Sequence, residues 1–383
     1  MQLIRNPTEI GTNKCVPYRI GGVPYRIIGD ITIQQINHIY IHFPFCIKKC
    51  GYCSFYSEIY NSSAVELYIN NLEQEIDYYK SRYDIQPTTI YFGGGTPSLL
   101  LPSQIHRILK KFNLTKIEEI TLEANPKTID INKLREYRDI GIDRLSLGVQ
   151  SFNDNDLQLL GRVHSANDVY QLYNAGINNI FDNISIDIIY GFGDFKLFNT
   201  LNSAHISIYC LTLEADTALY SQRHILHDDD KTADTYYNII EYLKSEGFHQ
   251  YELSSFAKNG KVSKHNLAYW SMKYYLGLGP GASGYLDNFR YENPRDLSYN
   301  ILNYPLQTRK FPETEPLSTY IITGLRKTEG IELTAQLQKI YEKEINNLLK
   351  KKLIEVINND GKIFMKLTKQ SYFIANEVLC EFV

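Results

Sequence analysis

The feature that most constrains this chain is a group of three cysteines, Cys46, Cys50 and Cys53, in the string HFPFCIKKCGYCSFY. Cysteine thiolates are soft ligands, and they select zinc or iron–sulfur clusters over hard cations. The spacing C-x3-C-x2-C gives three thiolates to a four-iron cluster and leaves one iron without a protein ligand. The spacing therefore predicts a cluster whose open iron binds a small molecule.

Other uses of these cysteines stay open from the spacing alone. A structural zinc site needs four ligands, usually as two spaced pairs, and Cys15, Cys210 and Cys380 offer no second pair. A thioredoxin-like redox pair would not need the third cysteine. Three buried, inert cysteines are the plainest alternative, which their clustering in a chain of only six cysteines disfavours.

Composition excludes several classes of protein. The chain has 383 residues and is 43% apolar, enough for a sizeable core in two or three domains. Its net charge of −3 predicts neither a nucleic-acid partner nor electrostatic attraction to a membrane surface. Cysteine usage indicates a reducing compartment. The sequence has no apolar run of about 18 residues and no secretory leader, so we expect a cytoplasmic protein without a transmembrane helix.

Apolar runs alternate with amphipathic stretches along most of the chain. This repeated βα pattern predicts a parallel sheet with right-handed crossovers, and six units predict an incomplete, TIM-like (β/α)6 barrel. The predicted strands are His38–Phe43, Thr88–Phe92, Glu118–Glu123, Arg144–Val149, Asn183–Ile189 and Ile206–Leu213. The predicted helices are Ala64–Tyr79, Pro102–Phe112, Ile131–Asp139, Ala166–Ala175 and Lys231–Ser245.

The pattern changes near residue 300. Three predicted helices (317–326, 334–340 and 342–351) precede a hairpin of Leu353–Ile357 and Lys362–Leu367 around an Asn-Asn-Asp-Gly turn. This order resembles a winged helix, but the acidic chain disfavours a DNA-binding role. We therefore expect an N-terminal extension (1–35), a barrel domain (36–298) and a helical, winged-helix-like C-terminal domain (299–383).

Several motifs follow the predicted strands, at the sheet edge where parallel barrels place their chemistry. The glycines of GGGTP (Gly93–Pro97) let a backbone come close to a ligand, or form only a flexible turn. Glu123, at a strand end, suits an amine or is an ordinary exposed carboxylate. These positions are candidates for a ligand pocket beside the cysteines.

Three further polar residues complete this candidate pocket. Arg162 lies twelve positions after Gln150, and its guanidinium suits a carboxylate. Asp187 lies in the apolar run ISIDIIYG, where a carboxylate needs partners; a ribose diol is one and a structural network is another.

The segment HNLAYW (His265–Trp270) contains the only tryptophan of the chain. The imidazole of His265 could ligate iron, although a lone histidine is more often structural. Beside it, YLGLGPGAS (Tyr275–Ser283) is interpreted as a glycine-rich turn.

Taken together and in order, these strings resemble the radical S-adenosylmethionine (SAM) superfamily. The likeness runs from about Tyr40 to the C-terminus. More narrowly, the chain resembles the branch that contains oxygen-independent coproporphyrinogen III oxidase and the HemW-type heme chaperones. The strings that carry the resemblance are YIHFPFCIKKCGYCSF, YFGGGTPS, LEANP, LSLGVQSF, LGRVHS, IDIIYG, HISIY, YELSSFA, HNLAYW and GPGAS.

The resemblance implies roles for these residues. Cys46, Cys50 and Cys53 would hold a [4Fe–4S] cluster whose open iron binds the amine and carboxylate of SAM. The positions that match the family's SAM pocket are Tyr40, Tyr52, Gly94, Gly95, Thr96, Glu123, Gln150, Arg162 and Asp187. Reductive cleavage of SAM would release a deoxyadenosyl radical. No residue is assigned as catalytic.

The choice within the branch depends on two markers. The oxidase has a fourth cysteine two positions after the third, where this chain has Phe55. The second marker is HNxxYW, which is associated with heme binding in the chaperones and makes His265 a candidate heme-binding residue. Both markers favour a heme chaperone that delivers heme to an acceptor protein. The alternative is the oxidase, which decarboxylates two propionates in porphyrin biosynthesis, so enzymatic activity is left open.

The resemblance also implies partners, and the chain departs from the family in its N-terminal extension and in the connection after the fifth strand. A reductant such as a flavodoxin or ferredoxin would supply electrons, and a membrane-bound acceptor would bring peripheral membrane association. In the family a full crossover helix follows the fifth strand. Here only Phe192–Ser203 remains, which predicts a thinner barrel wall beside the SAM pocket.

Overall fold

The fold is described from a computed structural model that covers residues 35–193, 201–306, 310–312 and 315–383. The chain divides into two compact units, Gln34–Thr314 and a second that contains Glu315–Val383. The predicted extension, residues 1–35, lies outside the described residues except for Gln35. The domain limits given above stay a prediction.

The first unit contains fourteen strands and seven helices among its described residues. Its strands are β1 Gln35–Phe43, β2 Phe45–Cys46, β3 Glu58–Ile59, β4 Asp84–Gly94, β5 Glu119–Ala124, β6 Arg144–Gln150, β7 Ile184–Tyr190, β8 His205–Cys210, β9 His249–Glu252, β10 Ser255–Ala257, β11 Tyr275–Leu278, β12 Ser283–Leu286, β13 Phe289–Glu292 and β14 Lys310–Pro312. Its helices are α1 Ser62–Lys80, α2 Pro102–Leu109, α3 Ile131–Asp139, α4 Asp154–Leu160, α5 Ala166–Asn174, α6 Asp229–Ser245 and α7 Lys264–Trp270.

One large sheet has the order β14-β13-β12-β11-β1-β4-β5-β6-β7-β8-β10-β9. Every pairing from β11 through β8 is parallel, and the strands outside this range pair antiparallel. The predicted run of six βα units is confirmed as β1, β4, β5, β6, β7 and β8 in sequence order. The sheet ends at β14 and β9, which do not pair with each other, so the barrel is incomplete as predicted.

Local sequence signals explain where the helices begin and end. The side chain of Asn61 accepts a hydrogen bond from Ala64 N–H at the start of α1. Ser165 and Asp168 form a reciprocal capping box at the start of α5. Gly176, just after α5, has a φ of 93°, a left-handed conformation that glycine adopts without a steric penalty. These caps fix the helices that cover the sheet.

The interpretation of Tyr275–Ser283 as a turn is wrong for its first four residues. Tyr275–Leu278 form β11, which pairs in parallel with His38–Ile41 of β1. Gly277 is required within this strand because a Cβ there would lie 1.9 Å from the carbonyl oxygen of Ser283. The turn is confined to the residues that follow, where Gly279 and Gly281 have positive φ.

The predicted short connection between β7 and β8 is only partly described. Residues 191–193 and 201–204 are not helical, and the rest of Phe192–Ser203 lies outside the described residues. The thinner barrel wall therefore stays a prediction.

The second unit combines helices with a three-stranded sheet. Its helices are α8 Pro316–Gly324, α9 Ala335–Ile340, α10 Glu342–Lys350 and α11 Ala375–Cys380, and its strands are β15 Ile331–Glu332, β16 Ile354–Asn359 and β17 Lys362–Leu367. The predicted hairpin is β16 and β17, in the sheet order β15-β17-β16. Asp360 and Gly361 at its tip both have positive φ, as a tight hairpin turn requires. In the described parts of the chain, no helix has the length and apolar character needed to cross a bilayer.

Candidate functional site

The three cysteines lie on the loop that leaves the C-terminal end of β1. Cys46 ends β2, which pairs with β3, and all three thiols are half-buried. Two backbone hydrogen bonds anchor the middle of the loop to other elements: Gly51 N–H donates to Leu160 O at 3.1 Å, and Leu219 N–H donates to Gly51 O at 2.8 Å. The loop is therefore held from two sides, by the last residue of α4 and by the segment that begins near Ala218.

The glycine-rich segment after β4 packs against this loop. Gly95 N–H donates to Phe43 O and Thr96 N–H donates to Phe45 O, both at 2.8 Å. The Thr96 hydroxyl lies 3.5 Å from the Cys46 sulfur. A Cβ on Gly95 would lie 2.6 Å from the carbonyl oxygen of Phe45. Close backbone packing alone thus requires a glycine at this position.

Glu123 is the penultimate residue of β5 and lies beside the same segment. Its carboxylate accepts a hydrogen bond from the Tyr91 hydroxyl at 2.8 Å and a longer one from Gly94 N–H at 3.2 Å. Burial raises the pKa of Glu123. No cationic side chain of the described residues lies within ion-pair distance of this carboxylate. An ammonium group of a ligand would therefore favour its ionised form.

Tyr40 is buried, and its hydroxyl lies 3.0 Å from Nδ1 of His42. The other ring nitrogen, Nε2, lies 2.9 Å from the carbonyl oxygen of Tyr56. A carbonyl only accepts, so Nε2 carries the proton and Nδ1 accepts from Tyr40. The His42 ring also fills the space beside Gly94, where a Cβ would lie 2.8 Å from it.

Arg162 joins the cysteine loop to β6. Its Nη1 lies 3.4 Å from the Cys50 sulfur, and its Nη2 donates to the Gly148 carbonyl at 2.7 Å. Its Nε is buried and has no hydrogen-bond partner among the described residues. Tyr52 interacts with the same guanidinium, and burial raises the pKa of the Tyr52 hydroxyl. The side-chain amide of Gln150 also reaches this place, since a Cβ on Gly148 would lie 3.0 Å from its Nε2.

Asp187 lies in the middle of β7 and has partners on two strands. Its carboxylate accepts from the Ser146 hydroxyl at 2.8 Å and from the Ser185 hydroxyl at 3.0 Å. Ser185 in turn lies 2.8 Å from Nδ1 of His205, whose Nε2 lies 2.8 Å from the Tyr251 hydroxyl. The structural network named above as one alternative therefore exists, and it orients the carboxylate.

His265 lies apart from the cysteines. Its side chain is fully buried beside the middle of β4, where Nδ1 lies 2.7 Å from the Thr89 hydroxyl and Nε2 lies 2.8 Å from the Tyr269 hydroxyl. Burial lowers the pKa of His265 well below its usual value. Both ring nitrogens are occupied in this arrangement, so iron binding by His265 would require one hydrogen bond to break. Its contact with the site is indirect: the Tyr91 ring stacks on His265, with centroids 5.2 Å apart, and its hydroxyl reaches Glu123.

The donor set fits a four-iron cluster. Burial raises the pKa of Cys46, and it raises that of Cys53 to about 11, so these thiols need a metal to displace their protons. In the part of the chain that the structure covers, no three His, Cys, Asp or Glu side chains are placed to share a single metal ion. A cluster does not require this, because each thiolate binds a different iron.

Among the predicted pocket residues, the structure brings Glu123 into contact with Gly94, and Arg162 into contact with Cys50 and Tyr52. Asp187, in the middle of β7, belongs to a separate hydrogen-bond network.

Sequence reasoning missed three residues that hold the predicted pocket residues: Tyr91, His42 and Ser146. His42 and Ser146 could have been found from the sequence. They belong to the alternating strings HIYIHF and RLSLG, in which every second side chain lies on one face of a strand.

Comparison with known proteins identifies relatives of this chain. Residues 40–204 match the Radical SAM superfamily model. Heme chaperone HemW of Lactococcus lactis is 32% identical, with 92% of this chain and 98% of the relative covered. Heme chaperone HemW of Bacillus subtilis is 33% identical, with 90% and 98% covered.

A solved structure supports the fold. Coproporphyrinogen III oxidase (HemN) of Escherichia coli, a radical SAM enzyme, aligns with a TM-score of 0.73 over 91% of this chain and 90% of its own, at 21% identity. At this identity the likeness shows the fold alone, and it confirms the predicted TIM-like radical SAM architecture. On the sequence matches, the chain belongs to the radical SAM superfamily and, within it, to the HemW family.

Proposed function

We propose that this protein is a heme chaperone that binds heme, a [4Fe–4S] cluster and exchangeable SAM, and delivers heme to an acceptor protein. The observation that carries the proposal is the match over nearly the full length of two relatives named heme chaperone HemW. Phe55, which replaces the fourth cysteine of the oxidase motif, agrees with it.

In this proposal Cys46, Cys50 and Cys53 hold the cluster and leave one iron for SAM. A reduced cluster supplies one electron for the reductive cleavage of bound SAM. The surrounding residues bind and orient the ligand. Glu123 is suited to the ammonium group because the described residues give it no cationic partner.

Arg162 is suited to the carboxylate of SAM, since its buried Nε lacks a partner. Asp187, held by Ser146 and Ser185, presents a carboxylate to a ribose diol. The buried Tyr40 and the half-buried Tyr52, Gly94, Gly95, Thr96 and Gln150 complete the enclosure and limit the access of water.

The candidate heme residue is His265. Because Tyr269 occupies Nε2 and Thr89 occupies Nδ1, heme binding there requires α7 to shift so that one nitrogen becomes free. The stacked Tyr91 would transmit such a shift to Glu123. This arrangement offers a physical link between heme binding and the SAM pocket.

The test is an anaerobic titration of the cluster-reconstituted protein with heme, followed by absorption. We expect saturable one-to-one binding that His265→Ala weakens. Tyr269→Phe removes the hydroxyl that competes for Nε2, so it should strengthen binding if His265 ligates the iron. Equal affinity in wild type and both variants would refute the assignment of His265, and the absence of specific heme binding would refute the chaperone proposal.

The alternative function is that of the oxygen-independent oxidase. The observation behind it is that the chain shares its fold with a coproporphyrinogen III oxidase. Arg162, Glu123 and Asp187, the residues proposed for SAM, would serve either function. Its test is incubation of the same reduced sample with SAM and coproporphyrinogen III. Loss of two propionate carboxyl groups as carbon dioxide would establish the oxidase, and no turnover would leave the chaperone proposal in place.

A further inference from the structure

The cysteine loop presents an exposed surface of its own. Ile47, Lys48 and Lys49 directly follow Cys46, and all three are exposed. Half of the Ile47 side chain (50%) is open to solvent, although it is a large apolar residue. A single exposed apolar side chain needs no explanation, but this one lies between two proposed cluster ligands and next to two cations.

A second element continues this surface. The short 3-10 segment Ala218–Ile225 is attached to the loop, because Leu219 N–H donates to the carbonyl oxygen of Gly51. The exposed ring of Tyr220 follows directly, and the guanidinium of Arg223 lies 5.1 Å from its centroid. We call the surface formed by five residues the cluster-loop patch: Ile47, Lys48, Lys49, Tyr220 and Arg223.

The cations of the cluster-loop patch are not neutralised. Among the described residues, no carboxylate forms an ion pair with Lys48, Lys49 or Arg223, whereas lysines elsewhere, such as Lys111 and Lys261, have carboxylate partners. The patch is thus locally positive in a chain whose net charge is −3. Glu58 on the adjacent β3 is an exposed carboxylate at its border, and it pairs with none of the three cations.

We propose that the cluster-loop patch is the docking surface for an acidic one-electron donor protein, which reduces the cluster through this loop. The proposal rests on the cluster assignment made under the proposed function. One electron passes from the donor, which is oxidised by one electron, to the cluster, which is reduced by one; no bond forms or breaks. Electron tunnelling falls steeply with distance, so the donor must dock where the protein layer over the cluster is thin.

The composition of the patch fits this class of partner. Tyr and Arg are enriched in protein interfaces, and an apolar centre with charged surroundings is the usual arrangement. Complementary charge chiefly accelerates the encounter and is screened by salt. Electron-transfer encounters bury little surface, so a patch of five residues is large enough to guide one.

The experiment measures cluster reduction by stopped flow. The variant is Lys48→Glu/Lys49→Glu, and the matched control is Lys110→Glu/Lys116→Glu, which makes the same charge change on exposed lysines near the N-terminal end of β5. Each protein is mixed with a reduced flavodoxin, which is an acidic donor protein, and separately with the radical of methyl viologen, a small donor. Iron and sulfide contents are measured first.

We expect the patch variant to react with the flavodoxin about tenfold or more slowly than wild type at low salt. The rate of this variant with the flavodoxin should depend much less on salt than the wild-type rate does. Its reduction by the viologen radical should stay within about twofold of the wild-type rate. The control should behave as wild type with both donors. Equal rates with the flavodoxin in all three proteins would overturn the proposal. A control variant slowed as much as the patch variant would overturn it as well. Absence of a cluster in wild type would instead overturn the proposed function.

Discussion

The guanidinium of Arg162 lies 3.4 Å from the sulfur of Cys50, although the two residues are 112 positions apart in the sequence. The same guanidinium donates to the Gly148 carbonyl. Arg162 therefore joins the cysteine loop to the end of β6 and leaves its buried Nε for a ligand. In the proposed function, the cluster and SAM sites share this side chain.

Arg162→Lys is expected to weaken SAM binding while the cluster is retained. A lysine has no planar fork, so it cannot contact Gly148 and a ligand carboxylate together. The loss of a hydrogen bond to a charged group, about 1.5–3 kcal/mol, corresponds to an increase of about tenfold or more in Kd. Anaerobic equilibrium dialysis with labelled SAM measures this change. The exposed Arg135→Lys on α3 is the control, and an unchanged Kd in Arg162→Lys would contradict the role.

Gly95→Ala is expected to destabilise the loop region, whereas Gly51→Ala is not. A Cβ at Gly95 would meet the carbonyl oxygen of Phe45 at 2.6 Å, and backbone must move to admit it. At Gly51 the nearest atom, Cβ of Leu219, would be 3.5 Å away, an ordinary contact. We expect a loss of about 1–3 kcal/mol in the free energy of unfolding for Gly95→Ala. Urea unfolding of the metal-free proteins checks this, and equal losses in the two variants would disprove the steric argument.

Glu75→Gln tests a buried carboxylate that fixes the turn after β11. Glu75 is 1% exposed and accepts hydrogen bonds from Gly279 N–H at 2.8 Å, from Asn293 at 3.0 Å and from the Tyr299 hydroxyl at 2.6 Å. A glutamine would turn an amide N–H₂ toward one of these donors. We expect a loss of about 1–3 kcal/mol in unfolding free energy.

The matched control for this variant is Glu136→Gln on the exposed face of α3, where a change within about 0.5 kcal/mol is expected. Chemical denaturation at neutral pH compares the two. A Glu75→Gln protein as stable as the control would show that the three hydrogen bonds do not stabilise the turn.

Acidification is expected to destabilise the fold partly through His38. Burial lowers the pKa of His38 from 6.5 to about 4, and its Nδ1 lies 2.9 Å from the Thr89 hydroxyl. As the pH falls from 6.5 toward 4, the unfolded chain takes up a proton that the folded protein does not, so the unfolding free energy decreases. Below about pH 4 the folded protein is protonated as well, and this contribution no longer changes.

His38→Gln should therefore lose less stability than wild type over this pH interval. Urea unfolding of both proteins at a series of pH values, each referred to its own stability at pH 8, measures the difference. Parallel curves for the two proteins would show that His38 does not contribute to the acid response.

Much of the fold was predictable because its signals are local. The βα alternation, the capping residues and the Asp360-Gly361 turn each depend on neighbours in sequence, and the predicted strands β1 and β4–β8 follow from them. The order of the motifs along those strands also predicts which sheet edge carries the candidate site, because parallel strands end at a common edge. The cysteine spacing by itself predicts a cluster at this loop.

Only the tertiary structure decided which distant residues meet. Tyr275–Leu278 has no alternation that marks it as a strand, and it becomes β11 because β1 offers it a free parallel edge. Arg162 contacts Cys50 because the fold brings together two loops that are 112 positions apart in the sequence. Likewise, HNLAYW does not reveal that Thr89 and Tyr269 occupy both nitrogens of His265, since Thr89 comes from a strand 176 positions away. The residue types and their order are written in the sequence, but contacts between distant segments arise only when the sheet aligns them.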